Sequence, residues 1–179
     1  KGIGALLVRR GSTLKPMLFG GHQQKSLRPG TEPVHLVVGM ALALKLAMNN
    51  LEARRNKVAL LRESFLQELR KEVADFTING EHNPALPFTL NLGFPGLKAD
   101  ILLMRLDMAG VACSTGSACS SGSLLPSPVL MAMQVSPEIL KSSMRFSFGF
   151  HLEEAEAIEG AKRIAFAVQS LRNHSGKNE

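Results

Sequence analysis

The chain has 179 residues, a formal net charge of +6, 45% apolar residues and two cysteines. No apolar run approaches the roughly 20 residues that a membrane-spanning helix needs, and two cysteines are too few for a disulfide-built secreted fold. The basic residues are scattered, without a lysine–arginine block or interleaved aromatics, so the charge indicates a solvated basic surface rather than a nucleic-acid site. We therefore expect a globular cytoplasmic protein with no nucleic-acid and no membrane partner.

The first 73 residues predict a strand, a long loop and a helical span. Residues 3–8 form a short apolar run that is typical of a buried strand. Glycines and prolines punctuate residues 11–33, and an irregular stretch of that length is usually functional. Residues 34–48 are apolar nearly all round, which predicts a buried helix, and residues 51–73 carry the apolar stripe of an amphipathic helix.

The remainder of the chain alternates between short strand patterns and helix patterns. The apolar spacing predicts strands at 76–80, 88–94, 111–113 and 144–149, and helices at 98–109, 128–133 and 153–171. Gly110 follows the first of these helices in a C-cap role. This order predicts a small α+β domain in which helices cover one sheet.

One cysteine, Cys119, stands in a run of small residues, Ser114-Thr115-Gly116-Ser117-Ala118-Cys119-Ser120-Ser121-Gly122. Such residues neither fill a core nor stiffen an element, so we expect an accessible thiol on a pliant loop. This suits a nucleophile that reacts and then hands something on, although an inert loop cysteine is the alternative. We expect Cys113, six residues earlier, to be a small buried residue, and two cysteines with scattered histidines do not make a zinc site.

Two further positions are candidates for binding anions. Arg145 lies on a predicted strand between Met144 and Phe146, where it needs an anionic partner, either a ligand carboxylate or an internal acidic residue, or a route to solvent. Arg28, Gly30 and Thr31 precede a helix start at Pro33, a combination that suits a phosphate. The alternative for Thr31 is ordinary helix capping.

Four ordered motifs resemble the NifS/IscS-like cysteine desulfurases, which are aminotransferase class V enzymes of fold type I that use pyridoxal phosphate (PLP). The motifs are Lys1-Gly2-Ile3-Gly4-Ala5-Leu6, Gly20-Gly21 followed by Arg28-Pro29-Gly30-Thr31-Glu32, Ser114-Thr115-Gly116-Ser117-Ala118-Cys119, and Met144-Arg145-Phe146-Ser147-Phe148-Gly149. The resemblance implies an α/β to α+β architecture. Residues 1–33 would end the large PLP domain, 34–74 would be linking helices, 75–172 a small C-terminal domain with a helix-covered mixed or antiparallel sheet, and 173–179 a tail.

The resemblance also implies roles for the candidate residues. Cys119 would take sulfur from L-cysteine, leaving L-alanine and an enzyme persulfide for iron–sulfur cluster or thio-cofactor synthesis. Arg145 would hold the substrate α-carboxylate. Thr31, together with Arg28, would contact the phosphate of the PLP of the partner subunit in a homodimer. The sulfur acceptor would be an iron–sulfur scaffold or another acceptor protein.

The chain departs from the family in two places. The family's Schiff-base lysine lies in a Ser-x-His-Lys segment just before the motif that begins at Lys1, so we expect a fragment that does not carry PLP covalently and is inactive alone. His22 and Gln24-Lys25 stand where the family usually has glycine and Glu-Arg. Two alternatives stay open: a selenocysteine lyase or related class V β-lyase, and a persulfide-relay module that works without PLP.

Overall fold

The computed structural model describes residues 2–82, 85–115 and 126–175. The chain divides into two compact units, Lys1–Leu51 and Glu52–Glu179. Among the described residues, no single helix is long and apolar enough to cross a membrane, and only the first two helices taken together pass that test of length and composition.

The first unit is a loop that leads into helix α1 (Val34–Asn49). The strand predicted at residues 3–8 is wrong: no strand is assigned to this segment, and it forms no ladder with a described strand. The prediction that α1 is buried is also wrong within this chain, because none of its residues is buried. Apolar residues all round a helix indicate a covered helix, and the described residues of this unit do not cover it.

The loop before α1 holds an unusual backbone. A short 3-10 turn covers Gln23–Ser26, and three successive residues, Gln24, Lys25 and Ser26, have φ of 49°, 56° and 60°. The left-handed region costs an L-residue roughly 1–2 kcal/mol, so the loop must be held by its side chains. Gln23 Oε1 accepts from the Gly30 N–H at 3.2 Å, and Gln24 Nε2 donates to Glu32 Oε1 at 3.0 Å. The second bond lowers the pKa of Glu32.

The second unit is a four-stranded antiparallel sheet covered by helices, as the α+β prediction requires. Its elements are α2 (Leu51–Glu72), β1 (Thr77–Ile78), β2 (Thr89–Gly93), α3 (Ala99–Met108), β3 (Ser114–Thr115), α4 (Pro128–Ala132), α5 (Pro137–Lys141), β4 (Ser143–Ser147) and α6 (Glu154–Ser175). The strand order is β1-β2-β4-β3, and every described pair is antiparallel. Residues 2 apart on a strand share a face, so one face of this sheet carries the core.

The core lies between that face and helices α2, α3 and α6. Val58, Leu61, Phe65 and Leu69 of α2 form one buried stripe, which confirms the helix predicted from their spacing. The ring of Phe65 packs edge-on against Phe148 and tilted against Phe146 of the β4 segment, with centroids 5.3 and 5.8 Å apart. These rings fix the position of β4, which carries Arg145 on its other face.

Two boundaries differ from those that the sequence predicts. The short strand expected at 111–113 lies at Ser114–Thr115, because Val111 is still hydrogen-bonded to Leu106 O in the turn that ends α3. Gly110 in this turn has a φ of +73°, as its C-cap role requires. Helix α6 continues to Ser175 and so includes the first residues of the tail expected from Asn173. Residues 176–179 lie outside the described part.

Candidate active site on the open face of the sheet

Strand alternation separates apolar from polar residues on β2 and β4. Leu90 and Leu92 of β2 and Met144 and Phe146 of β4 are buried in the core. The residues between them, Asn91 and Arg145, therefore lie on the opposite face of the sheet, which we call the open face. Both are partly buried. The two form a directly opposed cross-strand pair. Arg145 is the only arginine in the four described strands, and it lies on the face away from the core.

Arg145 has neither an ion pair nor a hydrogen-bond acceptor in the described part of the chain. The internal salt bridge that was the alternative to a ligand is therefore not present among these residues. A partly buried guanidinium without an anionic partner among the described residues is available for binding, because its N–H groups can donate two parallel hydrogen bonds to a carboxylate. The arrangement can hold a small carboxylate at this point of the sheet.

On the other side of β4, the residue of β3 that pairs with Arg145 belongs to the cysteine motif. Ser114 of β3 pairs directly with Arg145 of β4, so the Ser114–Cys119 motif starts on β3, beside the arginine. Cys119 itself lies outside the described residues, as do Gly116 and Gly122. The register thus connects Arg145 to the strand from which the cysteine segment starts, and the expected loop geometry of Cys119 stays a prediction.

Cys113 is a poor nucleophile in its surroundings. Its side chain is partly buried and packs against the core cluster. Burial, and after it the negative charge of Asp107, raises the pKa of the Cys113 thiol to about 11. The neutral thiol therefore dominates at neutral pH, and Cys113 packs as a small apolar residue that is partly buried rather than buried as expected.

The phosphate candidates lie at the start of α1. The N-cap is Pro33 and no side chain caps this helix, so the N–H groups of its first turn have no capping side chain. Thr31 is exposed and has no hydrogen-bond partner among the residues that the structure describes, so it does not cap α1. The Arg28 guanidinium donates to the Pro29 carbonyl. A free hydroxyl next to uncapped N–H groups and a cation fits a phosphate.

The sequence analysis missed one polar residue on the open face, Asn91. Its Oδ1 accepts from Asn79 Nδ2 at 2.6 Å, and Asn79 Nδ2 lies 2.9 Å from Ser143 Oγ. Alternation around Leu90 and Leu92 marks Asn91 as facing away from the core, but only the strand register brings it opposite Arg145. Groups of three or more metal-ligating side chains are absent from the described residues.

Comparisons with known proteins agree with this architecture. Residues 1–159 match the family model for aminotransferase class-V. The chain is 39% identical over 175 residues to a cysteine desulfurase IscS of Dictyoglomus turgidum, and 42% identical over 172 residues to a cysteine desulfurase of a Nostoc species. These alignments cover 98% and 96% of this chain but 44% and 43% of the relatives. The chain therefore spans less than half the length of the curated relatives it matches.

A solved structure shows the same fold. The X-ray structure of a NifS-like protein from Rickettsia africae superposes with a TM-score of 0.71 at 27% identity. The superposition covers 90% of this chain and 41% of that protein. The helix-covered antiparallel sheet is thus the fold of this portion of NifS-like proteins, and the chain belongs to the aminotransferase class-V family.

Proposed function

We propose that this chain works as part of a PLP-dependent cysteine desulfurase. The observation that carries the proposal is the partly buried Arg145 on the open sheet face, without a described acidic partner, next to the strand that begins the Cys119 motif. Relatives about 40% identical over nearly this whole chain bear the name cysteine desulfurase, which supports the same activity here. The substrate would be L-cysteine, whose carboxylate Arg145 would hold.

The reaction moves one sulfur atom from the substrate to the protein. The thiolate of Cys119 attacks the sulfur of L-cysteine, an S–S bond forms, and the substrate Cβ–S bond breaks with its electron pair on carbon. Protonation of that carbon gives the methyl group of L-alanine, and Cys119 is left as a persulfide. The thiol is oxidised and the carbon is reduced, so no further redox partner is needed. Arg145 keeps the substrate oriented while the bond breaks.

PLP, when bound, supplies the electron sink that makes breaking the Cβ–S bond possible. In this chain Thr31, the uncapped first turn of α1 and Arg28 would hold its phosphate. The family resemblance implies that the PLP-bearing lysine is not among these residues and that the phosphate is that of a partner subunit. We accordingly propose a homodimer in which Thr31 of one subunit serves the site of the other.

The persulfide needs an acceptor. We propose a sulfur-acceptor protein, such as an iron–sulfur scaffold, to which Cys119 passes its outer sulfur by attack of an acceptor thiolate. A persulfide survives best where thiols stay reduced, and two cysteines in 179 residues fit such a compartment, so we propose a cytoplasmic location.

The test is formation of L-alanine from L-cysteine by the full-length protein that contains this chain, with PLP bound. Arg145→Ala should raise the KM for L-cysteine by about 30-fold or more, since a charge-assisted hydrogen bond to a carboxylate is lost. Arg70→Ala is the matched control, because Arg70 of helix α2 pairs with Glu81 at 3.5 Å and α2 packs on the core side of the sheet. Equal KM values for the Arg145 and Arg70 variants would reject the assignment, and no L-alanine from the parent protein would reject the function.

A further inference from the structure

Asn91, Arg145 and Ser114 form a polar row across three strands. The register places Asn91 directly opposite Arg145 on one side and Ser114 directly opposite Arg145 on the other. Directly opposed residues of an antiparallel pair have Cβ atoms about 5 Å apart. The amide of Asn91 and the base of the Arg145 side chain therefore lie side by side on the open face.

Among the described residues, the cover of this face ends at the row. At one end, Gly93 and Ser143 are buried beneath α5, and Ser143 Oγ donates to Ile139 O at 2.7 Å. At the other end, Thr89 and Ser147 are exposed. Asn91 and Arg145 come between these pairs and are partly buried. Their partial burial leaves both side chains accessible among the described residues and shields them in part from water.

A hydrogen-bond chain fixes which way the Asn91 amide points. Ser143 Oγ donates to the α5 backbone, and Asn79 Nδ2 donates both to Ser143 Oγ and to Asn91 Oδ1. The Asn79 backbone N–H also donates to Asn91 O at 3.0 Å, which holds the two residues together. With Oδ1 engaged by Asn79, the Nδ2 group of Asn91 is directed to the other side and has no acceptor among the described residues.

We propose that Asn91 is a second substrate-binding residue: its Nδ2 group donates a hydrogen bond to the carboxylate that Arg145 holds. This deepens the proposed function and rests on it. A carboxylate has about four lone-pair positions, and a bidentate arginine uses two of them. A neighbouring amide donor can therefore occupy a third. Asn79 is then a positioning residue, because it sets the orientation of the Asn91 amide.

The test compares L-cysteine with cysteamine, which has the same amine and thiol but no carboxylate. In the PLP-loaded full-length protein, Asn91→Ala should weaken L-cysteine binding by about 10- to 100-fold, and leave cysteamine binding unchanged. The KM for L-cysteine should rise with little change in kcat, since the carboxylate is held equally in the ground and transition states. Thr89→Ala, a substitution on the same strand and face at an exposed position, is the control and should change neither ligand.

Asn91→Asp provides a second variant of nearly the same shape. It keeps an oxygen for Asn79 but replaces the donor with a negative charge, so L-cysteine binding should fall further than in Asn91→Ala. Equal weakening of L-cysteine and cysteamine would indicate a structural role and overturn the proposal. The proposal also fails if Arg145→Ala weakens L-cysteine whereas both Asn91 variants bind it like the parent. If Arg145→Ala has no effect on L-cysteine, it is the proposed function that fails.

Discussion

Cys113 offers a quantitative test of how the surroundings of a cysteine lower its reactivity as a nucleophile. In a Cys119→Ser variant Cys113 is the only thiol of the chain. Burial, with a smaller contribution from Asp107, raises the pKa of Cys113 from 9.0 to about 11. A difference of two pH units lowers the thiolate fraction at neutral pH by about 100-fold. Because the thiolate is the nucleophile, iodoacetamide should alkylate Cys113 about 100-fold more slowly than an ordinary cysteine.

The assay is the alkylation rate as a function of pH, followed by mass spectrometry on the folded Cys119→Ser chain. The rate should rise about tenfold per pH unit with no plateau below about pH 11. Asp107→Asn should increase the rate only in part, because burial is the larger cause of the raised pKa. A plateau near pH 9, or the rate of a free cysteine at neutral pH, would show that Cys113 is not shielded and would make it a rival nucleophile.

Two further predictions concern packing and the phosphate site. A methyl group at Gly93 would collide with Ile139, so Gly93→Ala should lower the free energy of unfolding by about 1–3 kcal/mol in a denaturant titration. The matched substitution Gly160→Ala, at a helical glycine with open space around its Cβ position, should instead raise it by about 0.5–1 kcal/mol; the same sign for both would refute the packing argument. Thr31→Val should weaken PLP retention in the full-length protein whereas Thr31→Ser should not, and equal retention by both would remove Thr31 from the phosphate site.

The long helices of the second unit, α2 and α6, could be predicted because each buries one apolar stripe. The spacing of Val58, Leu61, Phe65 and Leu69 places α2 against the sheet, and α6 follows the same rule. Helix α5 was missed although it repeats the start of α4: Ser136-Pro137 matches Ser127-Pro128, and each serine accepts from the N–H three residues on. A serine N-cap followed by proline was the available signal.

The candidate site could be predicted only in part. Arg145 stands out in the sequence because a charge between apolar strand residues needs an anion. Asn91 could not be linked to it, because the two residues are 54 positions apart in the sequence and only the strand register opposes them. The apolar character of α1 was evident, but what covers a helix depends on parts of the fold that its own sequence does not encode.

The central claim is that Cys119 takes the sulfur of L-cysteine. Its most direct test is the mass of the peptide that contains Cys119, measured after the full-length PLP-loaded protein has reacted with L-cysteine in the absence of reductant. The account predicts the added mass of one sulfur atom on Cys119, removable by dithiothreitol, and no such addition on Cys113. An unmodified Cys119 peptide in a protein that still forms L-alanine would contradict it.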